Sequence, residues 1–133
     1  MTFTSPTDDI IVQEGTFAYD YIASGTIYAG QCLEAGTTSS MEVEVAENAT
    51  DAFVGVAAYN ATDGEKIAVY GPKNIVRCIV KGTSVCNIGD DLFVSGSEGK
   101  VSNAAIDTPI NHKIGVALET QATDGGTVKV LLV

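Results

Sequence analysis

An internal repeat constrains the fold more than any other feature of this sequence. The matched segments are Gly30–Leu33 with Gly89–Leu92, Gly55–Ala57 with Gly115–Ala117, and Ala61–Gly64 with Ala122–Gly125. The last pair is identical letter for letter, and the offset between the copies grows only from 59 to 61 residues. Two copies of one unit can pack their apolar faces together around one core. The repeat therefore predicts one domain built from two similar units.

Each copy has the pattern of short strands joined by turns. Met41–Val45 alternates apolar and charged residues, which is typical of a half-buried strand. The Asp-Gly pairs at 63–64 and 124–125 favour reversals of the chain between neighbouring strands. Gly55 and Gly115 interrupt apolar runs, which indicates a bulge or the close passage of another backbone.

Helical periodicity is nearly absent, and a weak helical turn is predicted only for 104–110. The spacing of the strands favours a barrel or a sandwich. We therefore predict an all-β fold in which two strand-turn units form a barrel or a sandwich.

The N-terminal segment differs from the rest of the chain. Residues 2–9 are polar and contain a proline, and Ile10-Ile11-Val12-Gln13 has the composition of a strand. Such a segment can become ordered on a partner. We predict an extended arm at 1–14 and a single domain at 15–133.

Composition narrows the class of function. The chain has 133 residues, 45% of them hydrophobic, which suits one globular domain. Its net charge of −10 disfavours partners such as nucleic acid or anionic lipid, because both bind through Lys and Arg. The sequence begins without a recognisable secretion signal and contains no apolar run of the roughly 20 residues that a membrane helix needs.

Residues suited to catalysis are scarce. His112 is the only histidine, which disfavours a catalytic triad or a His-rich metal site. Asp8-Asp9 and Asp90-Asp91 are adjacent pairs, and neighbours on a strand point to opposite faces. No nucleotide-binding glycine motif is present. We expect no enzyme activity, no catalytic residues, no metal site and no cofactor.

Three cysteines, Cys32, Cys78 and Cys86, are expected to be buried thiols in a reducing compartment. A disulfide between Cys78 and Cys86 across a turn is the alternative.

The order of these motifs resembles a family of small tailed-phage head proteins that includes capsid-decoration and head-fibre base proteins. More distantly, it is similar to the head-stabilising protein of phage lambda. The matching pieces are Tyr28–Leu33, Phe53–Ala57, Ala61–Val69, Ile88–Val94, Lys113–Glu119 and Val128–Leu132. The resemblance covers roughly residues 15 to 133 and implies a β-barrel or β-tulip body, homotrimers at threefold points of the shell, and an N-terminal arm that adds a strand to the major capsid protein.

The resemblance thus implies a structural virion protein that is assembled in the host cytoplasm, binds the capsid exterior and cements the shell. We expect the capsid-binding arm to comprise Thr2, Phe3, Thr4, Ile10, Ile11, Val12 and Gln13. Strand addition to a shell protein would supply affinity through main-chain hydrogen bonds.

Three alternatives remain at this point. One is a carbohydrate-binding or adhesive β-domain of a virion fibre, which requires exposed aromatic side chains. The available residues are Tyr19, Tyr21, Tyr28, Tyr59 and Tyr70. The others are a small β-barrel enzyme and a subunit of a cellular assembly.

Overall fold

The computed structural model describes residues 13–14, 18–47, 52–81, 85–103 and 113–133, in which all regular secondary structure is β-strand. The strands are β1 (Gln13–Glu14), β2 (Ala18–Ala23), β3 (Cys32–Ala35), β4 (Glu42–Val45), β5 (Phe53–Ala57), β6 (Lys66–Tyr70), β7 (Ile75–Ile79), β8 (Asp91–Ser95), β9 (Lys100–Ser102), β10 (Gly115–Ala117) and β11 (Thr127–Leu132). The all-β prediction is confirmed. The predicted helical turn at 104–110 and His112 lie outside the described residues.

The first unit is a closed barrel with the strand order β2-β4-β3-β5-β6. Strand β2 closes it by pairing antiparallel with β6 on one side and parallel with β4 on the other. An apolar cluster fills its interior, because alternate side chains of each strand point inward. Its largest fully buried members are Ile27, Leu33, Val43, Ile67 and Val69.

The second unit is a six-stranded sheet with the order β1-β7-β11-β10-β8-β9. Just beyond β7, Val80 forms a parallel bridge with Val101 of β9. This bridge joins β7 to β9, the first and last of the five consecutive strands β7-β11-β10-β8-β9 of the sheet. These five strands therefore curl into a ring around an apolar cluster. Strand β1 lies outside this ring and pairs only with β7 among the described strands.

The strand pairing of the first unit is repeated in the second. The antiparallel pair β2–β6 corresponds to β7–β11, and the pairs β3–β4, β3–β5 and β5–β6 correspond to β8–β9, β8–β10 and β10–β11. Even isolated bridges recur, since Ile27–Ala61 in the first unit matches Cys86–Gln121 in the second. The two strand-turn units predicted from the sequence repeat are therefore present.

The backbone conformation of the turns explains why the residues at 61–64 and 122–125 are identical. Gly64 and Gly125 adopt φ values of 84° and 81°, which glycine accommodates without strain. The Gly64 N–H donates a 2.8 Å hydrogen bond to the carbonyl of Ala23 at the end of β2, and the Gly125 N–H donates one of the same length to the carbonyl of Val80, just beyond β7. The two predicted Asp-Gly turns are confirmed.

The glycines inside the strands mark close approaches of backbone. A Cβ at Gly55 would meet the Tyr70 carbonyl and lie 2.8 Å from Val69 Cγ1, and one at Gly115 would lie 2.6 Å from the Leu131 carbonyl oxygen. The pairing of β3 with β5 also shifts register next to Gly55. The sequence prediction of a bulge or a close passage is thus confirmed at Gly55.

Two apolar clusters make up the interior, and the second of them joins the units. It contains the core of the second unit together with four side chains from the first unit, Ala29, Cys32, Ala46 and Val56. These four lie on the side of the first barrel that faces the second unit. The two units are therefore held together by buried apolar contact, which is the dominant stabilising term in folding.

One predicted strand begins later than expected. Met41 precedes β4 in a turn and has a φ of 59°, a left-handed conformation that is uncommon for a residue with a side chain. The alternation expected for 41–45 holds within β4, where Val43 is fully buried and Glu42 and Glu44 are half-buried.

Candidate interaction surfaces

Strand β1, at the C-terminal end of the predicted arm, lies at a sheet edge. Gln13 and Glu14 pair antiparallel with Val76 and Ile75 of β7, so the last residue of the predicted capsid-binding arm has its pairing partner within the same chain. The other predicted arm residues, Thr2, Phe3, Thr4, Ile10, Ile11 and Val12, lie outside the described residues. The chain therefore enters the body beside β7, which fixes where any arm begins.

The surface is acidic, and several of the few cations are engaged in ion pairs within the chain. Arg77 lies 2.8 Å from Glu119, and Lys113 lies 3.1 Å from Asp91. Lys100 lies 3.5 Å from Asp124 and 3.7 Å from Glu98. With a net charge of −10, this surface repels polyanions. Association with nucleic acid through phosphate contacts is thus disfavoured.

Several exposed apolar side chains are available for contact with a partner. Among the described residues, the large ones are Tyr19, Met41, Tyr59, Val85, Ile88, Leu131 and Val133. Ile88 is 68% exposed and Tyr19 is 64% exposed, the two highest values of the set. A branched aliphatic side chain at the tip of a turn gains free energy when a partner covers it.

Two equivalent loops, one in each unit, share the same internal hydrogen bonds. In the loop 28–31, the Gln31 side chain accepts a 2.8 Å hydrogen bond from the Tyr28 N–H. In the loop 87–90, the Asp90 carboxylate accepts one of 2.8 Å from the Asn87 N–H. A further bond from the Asn103 side chain and that from Asn87 lower the pKa of Asp90. Asp90 is therefore a structural anion that holds its loop in place.

The aromatic surface required by the adhesive alternative is only partly present. Tyr21 and Tyr70 are half-buried against the two apolar clusters and Tyr28 is also half-buried, which leaves Tyr19 and Tyr59 as the exposed tyrosines among the described residues. A shallow depression of about 220 Å³ is lined by Thr26, Ile27, Tyr28, Asn60, Ala61, Thr62 and Glu65.

The one carboxylate in that depression has partners already. Glu65 Oε1 accepts hydrogen bonds of 2.6 Å from the Thr62 N–H and 2.8 Å from the Thr62 hydroxyl. These bonds lower the pKa of Glu65. They complete a turn of the fold, so this carboxylate does not converge on a ligand with other polar groups.

Chemistry-bearing residues do not come together in the part of the chain that is described. There, no group of three His, Cys, Asp or Glu side chains is placed to hold a metal ion. Asp90 bonds its own loop while Asp91 pairs with Lys113, as expected for neighbours that point apart. No helix in the same residues is long and apolar enough to cross a membrane.

Two of the three cysteines, Cys32 and Cys78, meet at the contact between the units. All three are buried free thiols, and the disulfide considered between Cys78 and Cys86 is not formed. The thiol of Cys78 instead hydrogen-bonds with that of Cys32 from the first unit, and this contact together with burial raises the pKa of Cys78 well above its usual value. Burial also raises the pKa of Cys86. Such thiols behave as small core residues.

Comparison with known proteins identifies the family. Residues 12–132 match the sequence profile of a family described as phage cement protein. The chain belongs to the phage cement protein family. It is therefore a structural virion protein whose role is to stabilise the capsid, and its family is typically non-enzymatic. Comparison with curated protein sequences gives no match.

The fold of this cement protein also has a solved relative. The head fibre gp8.5 N base of bacteriophage phi29 is similar with a TM-score of 0.63 and 20% sequence identity. The match covers 88% of this chain and 93% of that one, so the duplicated architecture as a whole is shared. At this identity the likeness establishes the fold.

Sequence analysis missed two features of the cement protein's surface. It placed Met41 inside a strand, and it treated Ile88 only as part of a matching motif. Both are exposed apolar residues at turns. The signal was available at 88, because a large aliphatic residue stands where the other copy of the repeat has Ala29.

Proposed function

We propose that this protein binds the outer surface of an icosahedral capsid as a homotrimer, and that its partner there is the major capsid protein. Membership of the phage cement protein family over residues 12–132 carries this proposal. The protein would be made in the host cytoplasm and would join the shell there. It works by adhesion, with no chemical step.

Affinity for the shell is assigned to the N-terminal arm, with Thr2, Phe3, Thr4, Ile10, Ile11, Val12 and Gln13 as its contact residues. The segment 10–12 is apolar and β-branched, which suits addition to an exposed sheet edge. Gln13 then continues into β1, so the strand that is tied to β7 would anchor the arm to the body. Load on the shell would pass through this strand into the second unit.

In a trimer, three weak contacts together give slow dissociation from the shell. Three arms on one particle bind at high effective concentration, so release requires all of them to let go together. The net charge of −10 keeps unbound trimers apart from one another and from packaged DNA. This combination suits a protein that is needed in many copies.

The arm is tested by deletion of residues 1–12, which leaves β1 in place. The truncated protein should keep the far-ultraviolet circular dichroism of the full chain and should no longer co-sediment with capsids that lack the protein. A second variant, Ile11→Pro, keeps the length of the arm but removes one N–H and disfavours strand pairing. It should also lose binding.

A matched substitution outside the arm, Pro72→Ala, lies in an exposed turn of the body and should bind like the full chain. Full occupancy of capsids by the truncated protein would refute the assigned role of the arm.

A further inference from the structure

One of the segments by which the first unit packs on the second is a loop, residues 28–32, which we call the inserting loop. A Cβ at Gly30 would lie 3.2 Å from the Arg77 carbonyl oxygen and 3.3 Å from Ile79 Cγ1. The Ile79 N–H donates to the Gly30 carbonyl at 3.3 Å. The loop therefore packs directly against the outer face of β7.

The same loop is also tied to the turn between β8 and β9. The Cys32 N–H donates a 2.9 Å hydrogen bond to the Gly99 carbonyl, and the Gln31 side-chain amide donates one of 2.9 Å to the Glu98 carbonyl. Together β7 and the turn 96–99 form what we call the receiving surface. Contact with it leaves Ala29 8% exposed and Ile79 fully buried.

The second unit has its own inserting loop, residues 87–91, and none of the residues that the structure describes covers it. The turn is the same, because Asp90 N–H donates to Asn87 carbonyl as Gln31 N–H donates to Tyr28 carbonyl, and Gly89 has a φ of 89° against 87° at Gly30. Yet a Cβ at Gly89 would have no neighbour within 4 Å, and Ile88 is 68% exposed.

The first unit correspondingly has a receiving surface on which no loop of the described residues packs. Strand pairing equates Ile22 with Ile79, because Ile22 pairs with Lys66 as Ile79 pairs with Thr127. The turn 37–40 stands where the second unit has 96–99. Ile22 is only half-buried, and 37–40 is exposed. Within the described residues, the inserting loop of the first unit thus packs on the receiving surface of the second unit. The inserting loop of the second unit and the receiving surface of the first unit are both left exposed.

We propose that the inserting loop 87–91 of one copy seats on the receiving surface of a second copy, at Ile22 of β2 and the turn 37–40. The contact is head to tail, because the two faces that meet are different, and head-to-tail contacts either close into rings or continue as filaments. The inference deepens the proposed trimer: three chains would close a ring of six units in which contacts within and between chains alternate.

The contact between chains is similar to the internal one without being identical. A Cβ at Gly99 would lie 2.8 Å from the Cys32 carbonyl oxygen, so the internal contact needs glycine there. Val43 and Val101 make equivalent parallel pairs, with Ala23 and Val80, so Met41 stands at the position of Gly99, with a φ of 59° and an exposed side chain. The neighbouring backbone must therefore stand farther off, and the Met41 side chain fills the space between.

Charge makes this contact depend on salt. Asp20 stands on β2 where β7 has Arg77, and the loop that approaches carries Asp90 and Asp91. Like charges at the rim of a contact weaken association, and salt screens them. Self-association should therefore strengthen as the ionic strength rises.

The test is cross-linking of the full chain with a short bis-maleimide after the substitutions Ile22→Cys and Ile88→Cys. The three native cysteines are buried, so the introduced thiols react first. The double variant should give covalent trimers under denaturing electrophoresis. Each single variant should stay monomeric, because the two halves of the contact are different surfaces.

The matched control pairs Ile88→Cys with Pro72→Cys. Pro72 is exposed and follows β6 at the end opposite Lys66, the partner of Ile22. This pair should give no trimer. A cross-linked dimer from Ile88→Cys alone would overturn the head-to-tail arrangement, since it would mean that like surfaces meet.

A second variant, Ile88→Asp, tests the contact without a cross-linker. Exposure of Ile88 predicts an unchanged fold and an association that is weaker by about tenfold or more, and Val133→Asp at another exposed apolar site should have no effect. Trimers by sedimentation that neither cross-link nor respond to Ile88→Asp would overturn this inference and leave the proposed function intact. A strict monomer at all salt concentrations would overturn both the inference and the proposed trimer.

Discussion

Gly55→Ala should destabilise the protein strongly, because the added methyl group has no space. Its Cβ would meet the Tyr70 carbonyl, and it would stand 2.8 Å from Val69 Cγ1 and 2.9 Å from the Tyr70 carbonyl carbon. Two of these three atoms belong to the backbone of β6, a strand of the closed barrel, so they cannot move without straining the ladder. Overpacking of this kind costs about 1–3 kcal/mol, and rigid backbone neighbours place Gly55→Ala near the upper end.

The magnitude can be read from thermal unfolding. For a chain of 133 residues, a loss of about 3 kcal/mol corresponds to a fall in Tm of about 10 °C, since the unfolding entropy is about 2 cal/mol/K per residue. Circular dichroism at a fixed protein concentration measures this shift. Urea titration should report the same loss in the free energy of unfolding.

The matched control is Gly71→Ala. Gly71 lies outside the left-handed region, and the nearest atom to its Cβ is the Val54 carbonyl oxygen at an ordinary 3.8 Å. This substitution should be neutral or should stabilise the protein by up to about 1 kcal/mol, through lower entropy of the unfolded chain. A Gly55→Ala protein as stable as Gly71→Ala would refute the close approach of β5 and β6.

Two further predictions concern titratable groups. Hydrogen bonds from Asn103 and Asn87 lower the pKa of Asp90, so its contribution to stability is present above the ordinary Asp value near about 4 and is lost as pH falls through the lower folded-state pKa. The difference in unfolding free energy between the wild type and Asp90→Asn should therefore be larger at neutral pH than in strong acid, and a constant difference across urea titrations at several pH values would contradict this reasoning. The second concerns the buried thiols of Cys32 and Cys78, of which Cys78 has a raised pKa: a disulfide reagent should leave both unmodified in the native protein and modify them rapidly in concentrated urea, and rapid native reaction would show that the contact between units opens.

The repeat predicted much of the fold because its repeated residues meet specific requirements of backbone conformation and packing. The Asp-Gly turns at 63–64 and 124–125 place a glycine where φ is positive. Gly55 and Gly115 stand where a neighbouring backbone comes too close for any side chain. Local requirements of this kind can be recognised in a single sequence, since each depends on a residue type at a fixed position.

The contact between the two units could not be predicted from the sequence in the same way. Ala29 and Ile88 occupy equivalent positions in two turns of the same shape, yet Ala29 is buried by the other unit and Ile88 is exposed. The difference arises from long-range seating of the inserting loop on β7, and periodicity within a segment carries no information about such seating. For the same reason the sequence did not predict that Cys32 and Cys78 meet.

Candidate surfaces were predicted least well. The arm at 1–14 was predicted from its contrast in composition with the body, and of its predicted contact residues only Gln13, in β1, belongs to the described part of the chain. Exposure of Ile88 and Met41 depends on which faces the two units turn toward each other. Alternation along a strand predicts which face of that strand is buried, but a turn residue has no such pattern.

The central claim is that this protein strengthens a viral shell by adhesion. Heat-induced release of DNA from phage heads, followed with a fluorescent DNA-binding dye, tests it directly on particles with and without the protein. We predict that particles lacking it release their DNA at a lower temperature, and that adding back the purified full chain restores the original temperature. Equal release temperatures for the two kinds of particle would contradict the account.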